Sequence, residues 1–370
     1  MRLALRGDPP GYDPLMDRTL AASTHHRVEG ISRSAGLAHI PALDGLRAVA
    51  IVLVVVHHGL MPVPFGGAVG VDVFFVLSGY LITTILIREH ARTGVISLRR
   101  FYLRRLVRLY PPLLLMLAIV FVPVALTTSW KSAAGGSAFA LFYLMPIGLE
   151  SGFQTASAYA HTWSLGVEEW FYFLWPALLL FLVKLRLRIV ITTGLAGALI
   201  VSAALVNIST GHSSYILRAY GLLGGCLLAL VLERGWRPPR WSGAVGLVAL
   251  IAVVLGSTFT RLTTSGVVLA DGATALIIAH IVCNVRGRLN RGFSWPPIVY
   301  VGRISYEIYL WHYPLLLALA LAVGGDFVDV AWLAIPACLV AAALAEHFTR
   351  PLIVKLRRGA TGRQDELLPA

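Results

Sequence analysis

The sequence predicts an all-α fold, a polytopic bundle of membrane-spanning helices. Three observations carry that expectation. Hydrophobic residues make up 57% of the 370-residue chain, and its mean hydropathy is +0.76. Charged residues are only 13% of the chain, about half the share usual in soluble domains. The apolar residues fall in long runs matching the ~20 residues that cross a bilayer.

The net charge of +13 would suit a nucleic-acid partner in a soluble protein. In a membrane protein it reads instead as Lys and Arg gathered in cytoplasmic loops, so no nucleic acid is expected. Cys226, Cys283 and Cys338 lie far apart inside apolar runs. Their spacing fits packing rather than a metal or a disulfide framework, and no metal is expected. Residues 1–38 are polar and rich in Gly, Pro, Ser and Arg. They read as a flexible cytoplasmic tail without the three-part pattern of a signal peptide. Residues 39–354 form one membrane domain, and 355–370 a second cytoplasmic tail.

The expected spans are 43–62, 70–88, 110–127, 164–183, 189–206, 214–232, 242–258, 266–285, 299–323 and 330–353. A further apolar run, 137–149, is shorter. Charge decides the topology. Arg88, Arg92, Arg99, Arg100, Arg104, Arg105 and Arg108 fall between the second and third spans, which places that loop in the cytoplasm. If 137–149 does not cross, the basic stretches KLRLR (184–188), ERGWRPPR (233–240), RGRLNR (286–291) and KLRRGATGR (355–363) all lie inside. Only Lys131, Arg218 and Arg261 remain on or near the outer side. The expectation is therefore ten spans with both termini cytoplasmic, in the cell membrane. Residues 128–162 form an outer loop with room for a re-entrant or interfacial helix.

The first span, LDGLRAVAIVLVVVHHG (43–59), carries polar groups that lipid would not tolerate. Arg47 and His58 are eleven residues apart, which puts them within about 20° on one helix face. Asp44 lies on the same side, and His57 about 80° away. The rise from Arg47 to His58 is about 16 Å, from the cytoplasmic surface to the middle or outer half of the bilayer. Such a stripe must face protein or water. Arg47 alone could be a snorkelling residue paired with Asp44, and His58 could be a packed histidine. Neither reading accounts for the whole stripe.

Other polar groups recur at comparable depths. GVDVFFVLSGYLI (70–82) places Asp72 at an outer edge, with Ser78 and Gly79 small enough for close helix packing. LRRFYLRRLVRLYPP (98–112) is amphipathic, with Leu103, Leu106, Val107 and Tyr110 on one face and Arg104, Arg105 and Arg108 elsewhere. It suits an interfacial helix among anionic headgroups or a site for a polyanionic ligand. HTWSLGVEEWFYFLWP (161–176) starts with His161, Trp163 and Ser164 and sets Glu168 and Glu169 about 100° apart. VGRISYEIYLWHYP (301–314) aligns Ser305, Tyr309 and His312 on one face, and Pro314 should kink the helix. AEHFTRP (345–351) suggests that Glu346 pairs with an arginine at the inner surface.

Taken together, these stretches resemble the acyltransferase-3 family, integral membrane O-acyltransferases that modify glycans, peptidoglycan, lipids and some macrolides. The resemblance runs over about residues 40–352. The matching features are the Arg-x10-His of Arg47 and His58, GVDVFFVLSGYLIT, the Arg-x-x-Arg of Arg105 and Arg108, TWSLGVEEWFY and ISYEIYLWHYP. The resemblance implies an acyl donor, acyl-CoA, entering from the cytoplasm near Arg105 and Arg108, with Arg104 beside them. It implies His58 as a catalytic residue and Arg47 as essential nearby. Some members carry a further C-terminal hydrolase-like domain. This chain ends shortly past its last expected span, so spans, loops or a separate protein are expected to present the acceptor.

Acyl transfer from a thioester to a hydroxyl needs a base and oxyanion stabilisation. Histidine suits the first task. The expected roles are His58 as base or transient acyl carrier, Asp44 and Arg47 at the donor entry, and His312 as a second proton carrier. Glu168 or Glu169, with Asp72, would shape the mouth for the acceptor, a hydroxyl-bearing glycan, lipid or macrolide-like molecule. Ser78, Tyr309 and Trp163 are further candidate acceptor contacts. The rival reading is a secondary transporter, because intramembrane His, Glu and Arg also suit proton relays. It lacks the inverted repeats common in transporters.

Overall fold

A computed structural model describes residues 39–60, 66–152, 157–183, 188–210, 214–259 and 263–361. The expected N-terminal tail, Arg261, Lys184–Leu187 and the last residues of the C-terminal tail lie outside the described residues. Every regular element among the described residues is helical.

The first helix, α1 (Pro41–Gly59), opens on a proline whose fixed φ suits a first turn. Helix α2 is Val69–Thr93, closed by Gly94 at φ 73°. Helix α3 (Leu98–Thr127) is followed by the short α4 (Trp130–Leu141) and α5 (Met145–Glu150). Then come α6 (Trp163–Val183), α7 (Arg188–Thr210), α8 (Tyr220–Glu233), α9 (Ser242–Phe259) and α10 (Thr264–Cys283). The short α11 (Arg288–Phe293) and α12 (Pro296–Arg303) lead into α13 (Ser305–Val323) and α14 (Phe327–Thr361).

Among the described residues, eight helices are long and apolar enough to cross a membrane. The other two expected spans are also helical but shorter: α8 has 14 residues, and the apolar part of α9 is Ser242–Ser257. Lipid suits their surfaces. Ile119, Leu126, Phe173, Ile208, Val248 and Trp332 are all exposed apolar side chains, which a water-facing surface would not gather in such number.

Three local departures from the sequence reading matter for the site. First, the basic segment 98–112 is no separate interfacial helix. It is the inner part of α3, which runs unbroken through Pro111 and Pro112. Proline keeps a helical φ and forfeits only its own N–H bond, and within a bundle neighbouring groups can satisfy the freed carbonyls. Second, the expected span 299–323 is two helices that meet at Ile304, while Pro314 sits inside α13 without ending it. Third, Asp72 is deeper than the outer edge. Gly70 packs against the Ala50 carbonyl, and the Phe74 ring lies 5.7 Å from the Arg47 guanidinium carbon. Helix α2 thus starts beside the middle of α1.

The run 137–149 folds as α4 and α5, of 12 and 6 residues. Twelve residues rise only about 18 Å, short of a ~30 Å crossing. Ser129 caps α4 by accepting from the Ser132 amide at 3.1 Å. At the α4–α5 turn Tyr143 takes a positive φ of 57° and packs 5.8 Å from the Tyr110 ring, well inside α3. The segment therefore turns back inside the bundle. Helix α6 then runs antiparallel to α3, since Tyr102 bonds the Phe173 carbonyl at 2.8 Å and Arg105 meets Glu169 at 3.1 Å.

Close packing fixes the frame. A Cβ on Gly79 would collide with the Leu222 carbonyl of α8, and one on Gly225 with the Val76 carbonyl of α2. This reciprocal glycine contact is the small-residue packing that Ser78 and Gly79 suggested. Buried Cys226 and Cys338 donate to the carbonyls of Gly79 (3.6 Å) and Ile308 (3.5 Å), consistent with packing roles.

Candidate active site

Helices α1 and α13 run side by side in the same direction, because two contacts advance along both. Arg47 donates to the Ser305 hydroxyl from Nε (3.3 Å) and from a terminal nitrogen (3.1 Å). Eleven residues on, His58 Nδ1 stands 3.3 Å from His312 Nε2. The stripe read from α1 therefore faces α13, not lipid.

The hydrogen bonds assign the tautomers. A carbonyl can only accept, so His58 Nδ1, 2.9 Å from the Val54 carbonyl, carries its proton. Likewise His312 Nδ1 donates to the Tyr309 carbonyl at 2.6 Å. His312 Nε2 is then the acceptor facing His58 Nδ1–H. His58 Nε2 is left as the basic nitrogen.

Around this pair the start of α6 closes in. The Tyr309 hydroxyl donates to the His161 carbonyl at 2.5 Å and contacts the Ser164 hydroxyl at 2.7 Å. The His161 ring stacks on Tyr313 at 5.5 Å and lies 5.4 Å from His312. Tyr313 also meets His58 edge-on at 5.2 Å. His161 and His312 are buried, whereas His57 and His58 are half-buried. His57 lies 5.3 Å from His58, ring to ring.

Toward the start of both helices the groups become charged. Arg108 is exposed, and its charge lies among those of Arg47, Arg105, Arg357 and Glu307. The Asp44 carboxylate stands 3.7 Å from Arg303 of α12. Arg105, expected beside Arg108 at a phosphate, is already engaged: it pairs with Glu169 and lies 3.2 Å from the Tyr172 ring centroid. Glu168 turns to α2 instead, accepting from Ser78 and, at 2.8 Å, from Tyr172. The 100° between the two glutamates sends them to different helices. Arg104 faces a separate cavity shared with Arg100 and Arg357. Glu346 pairs with Arg350 at 3.2 Å.

Asp72 is buried and forms a two-pronged ion pair with Arg218, whose Nε contact is 3.1 Å. The Arg218 guanidinium lies 5.3 Å from the Trp163 ring, and Trp163 packs on Tyr215 at 4.8 Å. Asp271 of α10 lies near this pair, and its oxygens have no hydrogen-bond partner among the described residues. Sequence reasoning placed Arg218 only near the outer side and passed over Asp271. A lone aspartate in VVLADGATALII was the available signal. Among the described residues no group of three or more His, Cys, Asp or Glu is arranged to hold a metal ion.

A model of the acyltransferase-3 acyltransferase domain matches residues 40–346. The chain belongs to the acyltransferase-3 family. The match covers every helix that builds the histidine pair. The chain is 32% identical over 311 residues to the peptidoglycan O-acetyltransferase OatA of Listeria monocytogenes, covering 75% of this chain and 49% of the relative. A Bacillus subtilis protein, YrhL, provisionally named a peptidoglycan O-acetyltransferase, is 32% identical over 314 residues, again 75% and 49%. A provisionally named O-acetyltransferase of Staphylococcus aureus strain COL is 29% identical over 329 residues, 78% of this chain and 52% of that one. The chain thus spans about half the length of the curated relatives it matches. No solved structure matches it. In this acyltransferase-3 chain, Arg47 and His58 of α1 meet Ser305 and His312 of α13.

Proposed function

We propose that this acyltransferase-3 chain is a membrane O-acetyltransferase. It moves an acetyl or other short acyl group from cytoplasmic acyl-CoA to a hydroxyl of a cell-surface glycan. The relatives named for peptidoglycan make that polymer the first acceptor to test. The observation that carries the reading is the His58–His312 pair set about 16 Å along α1 from Arg47. CoA carries its phosphates and its thioester at opposite ends of a flexible arm, so charged and neutral groups at different depths can hold it at once.

In the proposed reaction Arg47 and Arg108 receive the diphosphate from the cytoplasmic side, and Asp44 helps to organise that entry. His58 Nε2 accepts the proton of the acceptor hydroxyl as its oxygen attacks the thioester carbonyl. The resulting imidazolium shares its Nδ1–H between the Val54 carbonyl and His312 Nε2, which keeps the ring aligned. Collapse of the tetrahedral intermediate breaks the C–S bond. The thiolate recovers the proton, leaving CoA and the acyl ester. His58 as a transient acyl carrier would use the same nitrogen. Tyr309 holds the His161 backbone and Ser164 in place. Trp163 and Asp72, through Arg218, shape the acceptor side, and the Ser78–Glu168 and Arg105–Glu169 contacts brace α6.

In this reading the chain lies in the cell membrane with both termini in the cytoplasm, which puts the arginine-rich ends beside the donor pool. The test is CoA release by purified protein in detergent with acetyl-CoA and a peptidoglycan fragment. Release that depends on the acceptor supports transfer. Accumulation that needs sealed vesicles, without CoA release, supports a carrier instead.

A further inference from the structure

We propose that the cavity between the start of α3 and the end of α14 is a binding site for a terminal phosphate group. It is distinct from the histidine pair and rests on the reading of this chain as an acyl-CoA enzyme. The cavity is about 230 Å³ and is lined by Ser97, Arg99, Arg100, Arg104 and Arg357 over an aliphatic floor of Leu103 and Val107. At roughly 30 Å³ per water, it holds a phosphate with several waters.

Charge is the first argument. Four guanidiniums line one cavity, and among the described residues no carboxylate lines it. Several arginines elsewhere have acidic partners: Arg105 has Glu169, Arg218 has Asp72, and Arg188 has Glu233. Arg99, Arg100 and Arg104 have no carboxylate within 4.0 Å among the described residues. Like charges gathered at one cavity suit a multiply charged anion, and guanidinium forks match phosphate oxygens.

Local structure is the second. Arg100 and Arg104 lie about 40° apart on α3, whereas Arg105 is about 100° further round, toward Glu169. The helix separates an arginine committed to an ion pair from arginines directed at the cavity. Ser97 precedes α3 without a side-chain capping bond, so its hydroxyl and the first-turn amides add donors on the same wall.

Position is the third. Arg357 belongs both to this cavity and to the charge surroundings of Arg108. A phosphate bound here lies beside the proposed entry for the diphosphate. The 3′-phosphate of CoA and the headgroup phosphate of an anionic lipid share the required chemistry.

The experiment is equilibrium binding to purified full chain, with adenosine 3′,5′-bisphosphate, adenosine 5′-monophosphate and nanodiscs with or without phosphatidic acid as probes. The proteins are wild type, Arg100→Gln, Arg357→Gln and Arg100→Lys, each shown to be folded by gel filtration. Losing one charge-assisted contact should weaken binding about 10- to 100-fold. The Gln variants should lose that much affinity for the bisphosphate, Arg100→Lys less, with little change for the monophosphate. That result supports the site with the donor as its source. A loss of phosphatidic-acid preference alone supports the same site with lipid as its source. Equal binding of all probes by wild type and Gln variants overturns it. A chain that binds the bisphosphate through these arginines but never releases CoA keeps the site and sinks the transferase reading. Acceptor-dependent turnover with an unchanged KM for acetyl-CoA and an unchanged phosphatidic-acid preference in both Gln variants keeps the reading and sinks the site.

Discussion

The two ends of the contact between α1 and α13 handle polarity in opposite ways. Around His58 the hydrogen bonds join imidazoles, hydroxyls and backbone carbonyls. Around Arg108 three further guanidiniums meet a single glutamate. The lesson is about where uncompensated charge can stand. Deep in the bundle a charge is costly without a partner, and buried Asp72 has Arg218. At the end of the bundle, water or an anion can screen the arginines. Groups that can be neutral thus gather around His58, and groups that cannot gather around Arg108.

That contrast can be tested by removing compensation at each level. The largest effect is expected for Asp72→Ala, which strands Arg218 in the bundle. Stability should fall by about 3–5 kcal/mol, measured by thermal unfolding in detergent. Replacing Asp72 and Arg218 together by apolar residues should cost far less. If the double variant is as unstable as the single, the pair is not what the site depends on.

Next comes His312→Gln, which keeps volume but changes the partner of His58 Nδ1. Turnover should drop about 10- to 100-fold, or roughly 1.4–2.7 kcal/mol in the barrier, with the donor KM unchanged. A change in KM alone would move His312 from the proton path to donor binding. Tyr309→Phe removes the hydroxyl that joins Ser164 to the His161 carbonyl and should cost about 1 kcal/mol of stability, read from the same melts. At the exposed inner surface, Glu346→Ala should matter least. It breaks an i,i+4 pair with Arg350, which is 73% exposed, and such pairs contribute about 0.3–0.5 kcal/mol.

The sequence made some of this contrast legible. The shared face of Arg47 and His58 follows from helix periodicity alone, and the structure directs that face at α13. Ser305, Tyr309 and His312 were likewise grouped by their spacing. Partners chosen across the bundle were not readable. Arg105 finds Glu169 at a separation of 64 residues, and no local pattern encodes that. The depth of Asp72 depended on the turn through Gly66–Ala68 that brings α2 back beside α1, where small residues permit close approach. The break at Ile304 has neither proline nor glycine at its own position. Gly302, two residues before it, packs on the Asp44 carbonyl, a contact visible only in three dimensions. Asp271 was legible as an ionisable residue in an apolar run, but its neighbours were not.

The most direct test replaces one ring. Purified His58→Ala, compared with wild type for acceptor-dependent CoA release from acetyl-CoA, should lose about 10²–10⁴-fold in turnover while eluting and melting as a folded protein. Near-normal turnover in that variant would contradict the account.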